Sequence, residues 1–252
     1  MRTLLAALTI VAVIASTHAP AGADEILVAA AASLTDVLKE IAAGYHAKSK
    51  PTVRFNFGAS NALARQIEEG APVDLFFSAD LAQMDDLEKS GRLEPGARKN
   101  LLSNRLVIVA PADSKLALSS PRDLLKPEIK RIALADPGAV PVGVYTSKYL
   151  TGEGLWEQLR PKIVPVQDVR ATLAAVESGN VEAGFVYKTD AAISRKVKIV
   201  YEVPVDKGPR ITYPAAVVKD SRHKEAARDF MRYLQSPAAK DIFKKYGFVV
   251  LD

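Results

Sequence analysis

Residues 52–80, TVRFNFGASNALARQIEEGAPVDLFFSAD, decide the fold class of this chain. Apolar and polar residues alternate over residues 52–57, which predicts a half-buried strand. Apolar residues at helical spacing over residues 62–69 predict an amphipathic helix, which the Gly and Pro of residues 70–72 stop. The apolar run at residues 75–77 predicts a buried strand. A strand, a helix and a second strand in this order are typical of α/β proteins.

The same alternation continues along the rest of the chain. Strands are predicted at residues 25–30, 106–110, 132–135, 163–166, 183–186, 199–203 and 213–218. Helices are predicted among them at residues 37–45, 80–90, 144–150 and 169–178, and two more finish the chain. We therefore predict an α/β protein with mostly parallel sheets flanked by helices. The chain exceeds the common size of a single core, so we predict two lobes joined directly by strands.

Composition excludes several classes of protein. The chain has 252 residues, 34 Lys and Arg against 29 Asp and Glu, and no Cys. Without Cys there is no disulfide scaffold, zinc–thiolate site or catalytic thiol. The net charge of +5 is spread along the chain, and its densest basic runs are short. We therefore expect no nucleic-acid surface.

The first residues are typical of an export signal. Arg2 precedes an apolar run at residues 4–15, and small residues end in an A-x-A pattern at residues 21–23. That run is shorter than the roughly 20 residues that span a bilayer. We predict that residues 1–23 are a cleaved signal peptide. Because no Cys follows, we expect a soluble periplasmic protein without a lipid anchor.

The sequence offers little to a hydrolase. Beyond the predicted signal the chain has His46 and His223, both in polar surroundings, and it has no G-x-S-x-G motif. The chain therefore has too few histidines in suitable surroundings for a Ser-His-Asp triad or a histidine metal site. We predict that the protein is not an enzyme.

Small or polar residues recur where a predicted strand meets a predicted helix. These junctions are marked by Ser33, Ser60, Val142 and Val169. Asp36 is the expected capping-box partner of Ser33. Each residue either caps or begins its helix, or it faces a shared crevice at the carboxyl ends of the strands. Helix N-termini carry roughly +0.5 charge each and unpaired N–H groups, so such a crevice would suit a dianion without any Lys or Arg.

The chain resembles the periplasmic molybdate-binding proteins of the ABC-transport family over essentially its whole mature length. The segments that carry the resemblance are AAASL at residues 30–34, GASNALARQIEEGAPVDLFFSAD at 58–80, DPGAVPVGVY at 136–145, DVR at 168–170, FVYKTDA at 185–191, YPAAVV at 213–218 and IFKKYGF at 242–248. The long second segment is specific by itself, whereas AAASL alone would be weak.

The resemblance implies a two-lobed periplasmic binding protein fold of type II. Lobe one is expected at residues 24–103 plus 212–252, and lobe two at residues 104–211. The strands near Leu106 and Tyr213 would cross between the lobes and form the hinge.

The resemblance also implies a set of ligand contacts. Hydroxyl donors are expected from Ser33, Ser60 and Tyr187, and backbone N–H donors from Val142 and Val169. Ala79 is implied near the same cleft as a position of second rank. The implied ligand is molybdate or tungstate, with molybdenum held as the oxyanion, so no free metal ion and no cofactor are expected.

The function implied is capture of the anion by a monomer that delivers it to an inner-membrane ABC permease. A sulfate- or phosphate-type binder stays open as an alternative, because the sequence does not give the pocket radius. Protonated phosphate needs a hydrogen-bond acceptor, which Asp136 or Asp168 could supply. A ligand-sensing regulator is disfavoured, because no DNA-binding helices are left over.

Overall fold

The computed structural model describes residues 25–46 and 50–251. The predicted signal peptide, residues 1–23, and residue 24 lie outside the described residues. The strands are β1 (Glu25–Ala31), β2 (Thr52–Gly58), β3 (Leu75–Phe77), β4 (Lys99–Asn104), β5 (Leu106–Pro111), β6 (Ile132–Ala135), β7 (Ile163–Val166), β8 (Ala183–Tyr187), β9 (Val197–Glu202), β10 (Ile211–Val217) and β11 (Val249–Val250).

Helices connect these strands and cover the sheets. They are α1 (Thr35–His46), α2 (Ser60–Glu68), α3 (Leu81–Lys89), α4 (Pro141–Gly152), α5 (Trp156–Leu159), α6 (Val169–Glu177), α7 (Lys188–Ala192), α8 (Lys224–Leu234) and α9 (Pro237–Lys245), with 3-10 turns at Ala32–Leu34, Pro121–Leu125 and Arg160–Lys162. In the described part of the chain, no helix is both long and apolar enough to cross a membrane.

The strands form two sheets, which define two lobes. The sheet of lobe one has the order β11-β4-β10-β3-β1-β2, and the sheet of lobe two has the order β7-β6-β8-β5-β9. The predicted α/β class with two helix-flanked sheets is confirmed. The predicted residue boundaries of the lobes stay a prediction.

The sheets are mixed, so the prediction of mostly parallel sheets is wrong. Parallel pairing joins β1 to β2 and β3, and β6 to β7 and β8. The remaining described pairs are antiparallel. The physical reason lies at the crossings: β4 leaves lobe one towards lobe two and β10 returns beside it, so the two strands run in opposite directions.

The chain passes between the sheets at two neighbouring places. Arg105 alone separates β4 from β5, and residues 203–210 connect β9 to β10. Asn104 pairs with Ile211 in one sheet, and Val107 pairs with Glu202 in the other. The predicted crossing strand near Leu106 therefore consists of two strands, of which β4 was not predicted. A hinge at this position stays a prediction.

Local signals explain where the helices near the cleft begin and end. Asp80 and Asp168 cap α3 and α6 through side-chain bonds to backbone amides of the first turn. Gly91 and Gly179 follow these two helices with φ of 68° and 69°, a conformation that other residues rarely adopt. These caps and glycines fix where α3 and α6 begin and end.

Candidate functional site

A cavity lies between the lobes, at the carboxyl ends of the strands. It encloses about 220 Å³, its open mouth included. All six predicted site residues line it: Ser33, Ser60, Ala79, Val142, Val169 and Tyr187. Each follows the end of a different strand or is its last residue, as expected for ligand crevices in α/β sheets. Their role as ligand contacts stays a prediction.

Ser60 is turned into the cavity and does not cap its helix. The N-cap of α2 is Ala59, which makes no side-chain capping bond, and Ser60 is 1% exposed. The Ser60 Oγ accepts a hydrogen bond from the backbone N–H of Ala79 at 3.0 Å. That bond leaves the hydroxyl proton of Ser60 available for a ligand. Ala79 therefore supports Ser60, and its amide is already engaged.

Ser33 does not cap a helix either. It lies inside the 3-10 turn that begins at Ala32, so the capping box predicted with Asp36 does not form. The Ser33 Oγ instead lies 3.1 Å from the hydroxyl of Tyr213. Asp36 forms an ion pair with Arg170 on the other lobe, at 2.8 Å. For both serines, the capping interpretation is wrong.

Tyr187 ends β8 with its side chain buried at the cavity. Its ring packs edge to face on Tyr213, with 5.8 Å between ring centroids. Among the described residues its hydroxyl oxygen has no hydrogen-bond partner, although it is fully buried. Burial raises the pKa of Tyr187 well above its ordinary value, so the phenol is a neutral donor at physiological pH. A buried polar atom without a partner is costly unless a ligand or water satisfies it.

Two helix N-termini of lobe two reach the cavity with their backbone. Helix α4 begins at Pro141, which has no N–H, so the amide of Val142 is the first donor of that helix. Asp168 caps α6 by accepting from the amides of Arg170 and Ala171, at 2.8 and 2.9 Å. That cap leaves out the amide of Val169, which lies nearest the helix terminus.

A glycine determines how closely α4 approaches the cavity. Gly143 packs directly against the end of β6. A Cβ at this position would lie 2.2 Å from the carbonyl oxygen of Ala135 and 2.3 Å from that of Asp136. Only glycine therefore seats this helix terminus, with Val142, against the sheet.

Among the described residues, no basic side chain lines the cavity. Asp168 is its one charged residue in the described part of the chain, and its Oδ1 is engaged in capping α6. Any negative charge in the cavity must therefore be stabilised by neutral hydroxyls and by the partial positive charge of helix N-termini.

One basic side chain lies beside the cavity and joins the lobes. Arg170 of α6 pairs with Asp36 of lobe one at 2.8 Å and with Asp190 of lobe two at 2.9 Å. Its Nη2 also donates to the carbonyl oxygen of Ser33 at 3.4 Å. Asp190 is completely buried. Burial raises the pKa of Asp190 to about 6, against the opposing influence of Arg170.

Sequence reasoning missed the residues that support the site from behind. Tyr213 contacts Ser33 directly, and Asn104 is connected to Ser33 through Tyr213. Arg170 forms an ion pair between the lobes. A polar-tipped aromatic in a buried strand is a signal for Tyr213, because such a hydroxyl needs a partner. No comparable signal marks Asn104, which lies in a polar stretch.

Two α/β lobes with a cavity between their strand ends define the class of cleft-type binding proteins. A family model of bacterial extracellular solute-binding proteins matches residues 26–249. The chain belongs to this family.

The chain is similar to several molybdate-binding proteins. The molybdate-binding protein ModA of Escherichia coli is 40% identical over 242 residues, covering 92% of each chain. ModA of Haemophilus influenzae is 39% identical over 236 residues, covering 90% of this chain and 91% of the relative. The solved periplasmic molybdate-binding protein of Azotobacter vinelandii is 26% identical with a TM-score of 0.83, covering 90% of this chain and 100% of that one.

The first prediction from the site concerns the amide of Val169. Val169→Pro should weaken binding of the anion by about tenfold to a hundredfold, because the lost bond to a charged group is worth roughly 1.5–3 kcal/mol. Proline is tolerated at the first position of a helix, and Asp168 before it already has an extended backbone. Val169→Ala is the matched control, since it truncates the side chain and keeps the N–H. Equal affinities of the two variants in calorimetric titration would show that this amide is not a ligand.

Proposed function

We propose that this protein is a non-enzymatic periplasmic binding protein that captures molybdate and tungstate between its lobes. It delivers the anion to an inner-membrane ABC permease. The observation that carries the proposal is an interlobe cavity with neutral donors in its lining, at which the buried Tyr187 hydroxyl has no partner among the described residues. The identity of the anion rests on the relatives that are named for molybdate binding.

The chemistry of the lining suits a fully deprotonated oxyanion. The Ser60 hydroxyl already accepts a bond from Ala79, so it has a proton to offer. The amides of Val142 and Val169 and the phenol of Tyr187 are donors under all ordinary conditions. A buried dianion is tolerable when nearly every oxygen lone pair meets a donor.

The same lining offers few acceptors to a phosphate-type ligand. Protonated phosphate must donate its hydrogen to an acceptor in the pocket. Two amides of α6 take Oδ1 of Asp168, which leaves its Oδ2. Asp136, whose Oδ1 accepts from the Gly138 amide at 2.8 Å, does not line the cavity. Sulfate needs donors only, so it stays the second candidate, separated from molybdate by anion size.

Ligand-dependent stability tests the proposal. Molybdate and tungstate at one hundred times Kd should each raise the free energy of unfolding by about 2.7 kcal/mol, and Tm by about 5–10 °C. Sulfate and phosphate at the same concentration should give little or no shift. Donors fixed around a large tetrahedral anion leave bonds unmade around a smaller one.

Thermal unfolding of the purified protein with each anion is the measurement, and Tyr187→Phe is the matched variant. This change removes one hydroxyl and keeps the ring, so its molybdate shift should be smaller. A larger shift with sulfate than with molybdate would assign the protein to the sulfate-type binders. No shift with any of the four anions would refute an oxyanion site in this cavity.

A further inference from the structure

A chain of hydrogen bonds connects the crossing strands to the cavity from behind. Asn104, the last residue of β4, donates through Nδ2 to Thr189 Oγ1 at 2.8 Å and to the Tyr213 hydroxyl at 3.3 Å. The Tyr213 hydroxyl lies 3.1 Å from Ser33 Oγ, and Ser33 lines the cavity. All four side chains are buried.

The direction of the first bonds is fixed by the backbone. The N–H of Arg105 donates to Oδ1 of Asn104 at 2.9 Å. A backbone N–H can only donate, so the oxygen of the Asn104 amide must face Arg105. Its nitrogen then faces Thr189 and Tyr213, and it can only donate to them.

The direction of the last bond follows from the first. The Tyr213 oxygen accepts from Asn104, so its single proton is left to donate towards Ser33 Oγ. Burial raises the pKa of Tyr213 well above its ordinary value, so that proton is retained. The Ser33 oxygen then accepts from inside the protein, and its own proton remains for the cavity.

We propose that Asn104 and Tyr213 are positioning residues, which commit the Ser33 hydroxyl to donating a hydrogen bond to the bound anion. This inference rests on the proposed function. The Ala79 amide donates to Ser60 Oγ in the same way, so the Ser60 proton is also left for the cavity. Both serines are thereby donors only, so neither offers an acceptor to a protonated anion.

Double-mutant cycles with molybdate test whether Tyr213 acts through Ser33. Tyr213→Phe should weaken binding about three- to tenfold, the worth of one neutral hydrogen bond. On a Ser33→Ala background it should cause no further loss, because there is no hydroxyl left to orient. On a Ser60→Ala background the three- to tenfold loss should persist. A merely structural role of Tyr213 would weaken binding equally on both backgrounds and would overturn the proposal.

The hydrogen bonds that run from Asn104 through Tyr213 to Ser33 form a relay. A second variant should reverse the direction of these bonds while keeping the shape of the side chain at position 104. The carboxylate introduced by Asn104→Asp cannot donate, so the Tyr213 proton turns towards it and Ser33 donates to Tyr213. Ser33 then presents a lone pair to the anion, and molybdate affinity should fall more than in Tyr213→Phe. Adding Tyr213→Phe to Asn104→Asp should restore part of the affinity, since it removes the group that holds Ser33 reversed.

The outcomes separate this inference from the function on which it rests. The relay alone is overturned if the wild-type protein binds molybdate, the losses from Tyr213→Phe and Ser33→Ala are additive, and Tyr213→Phe does not rescue Asn104→Asp. Wild-type protein that binds none of molybdate, tungstate, sulfate and phosphate overturns the proposed function and the relay with it. Thermal unfolding of each ligand-free variant verifies that it is folded.

Discussion

Gly143→Ala should reduce molybdate affinity by more than about a hundredfold and the free energy of unfolding by about 3 kcal/mol or more. A Cβ at this position would lie 2.2 and 2.3 Å from two backbone oxygens, which cannot rotate away as side chains do. Helix α4 must therefore move off the end of β6. The amide of Val142 moves with it and loses the geometry of a hydrogen bond to a buried anion.

Gly152→Ala is the matched control for this prediction. Gly152 ends the same helix, and a Cβ there meets no atom within 4 Å. We expect wild-type affinity and equal or slightly higher stability for this variant, since alanine is the better helix former. Calorimetric titration with molybdate and urea unfolding of both variants make the comparison. Wild-type affinity in Gly143→Ala would show that the position of α4 does not matter for binding.

Arg170→Leu should destabilise the ligand-free protein by about 3–5 kcal/mol at pH 8, because it leaves the buried carboxylate of Asp190 without a counter-ion. The loss should be smaller at pH 5. The pKa of Asp190 is raised by burial to about 6 even with Arg170 present, and removing Arg170 raises it further. A raised carboxyl pKa in the folded state contributes stability at low pH, and that contribution is lost as the pH rises through the folded value.

Urea unfolding at pH 5 and pH 8 measures this difference. The double variant Arg170→Leu with Asp190→Asn should recover most of the stability at pH 8, because it removes the buried charge. Arg232→Leu is the control: this Arg also pairs with an Asp, at 3.0 Å, but its side chain is 65% exposed, so we expect a small change. An equal deficit at both pH values would contradict the role given to Asp190.

The sequence predicted which residues line the cavity better than it predicted what lies behind them. Strand ends followed by helix starts are local patterns, and they identified Ser33, Ser60 and Val169, all of which line one cavity. The resemblance added Tyr187. Local patterns contain no information about what lies behind these residues. The Ser33–Tyr213 contact joins residues that are 180 positions apart.

The elements that were missed are those that depend on tertiary pairing. Strand β4 has the polar sequence KNLLSN, and it is a strand because β10 and β11 pair with it. Strand direction was misjudged for a similar reason. The order of strands and helices suggests crossover connections, but a chain that leaves a sheet and returns to it creates antiparallel pairs that no local pattern indicates.

The capping interpretation of the two serines failed for a different reason. Ser33 and Ser60 have the residue type of N-caps, but Ser60 is the first residue of α2 and Ser33 lies inside the 3-10 turn Ala32–Leu34 before α1. Neither serine therefore occupies an N-cap position, and both line the cavity.

The proposed main-chain donors at Val142 and Val169 would separate two properties that binding sites often combine. The hydrogen bonds would come from the backbone, whereas the side chains of the same residues line the pocket and limit its width. Substitution among alanine, valine and isoleucine at these positions can therefore alter the preferred anion radius while the number of donors stays constant. A few substitutions could therefore change the size of the preferred oxyanion without loss of hydrogen bonds. A small combinatorial library at Val140, Val142 and Val169, which line the cavity, would test this.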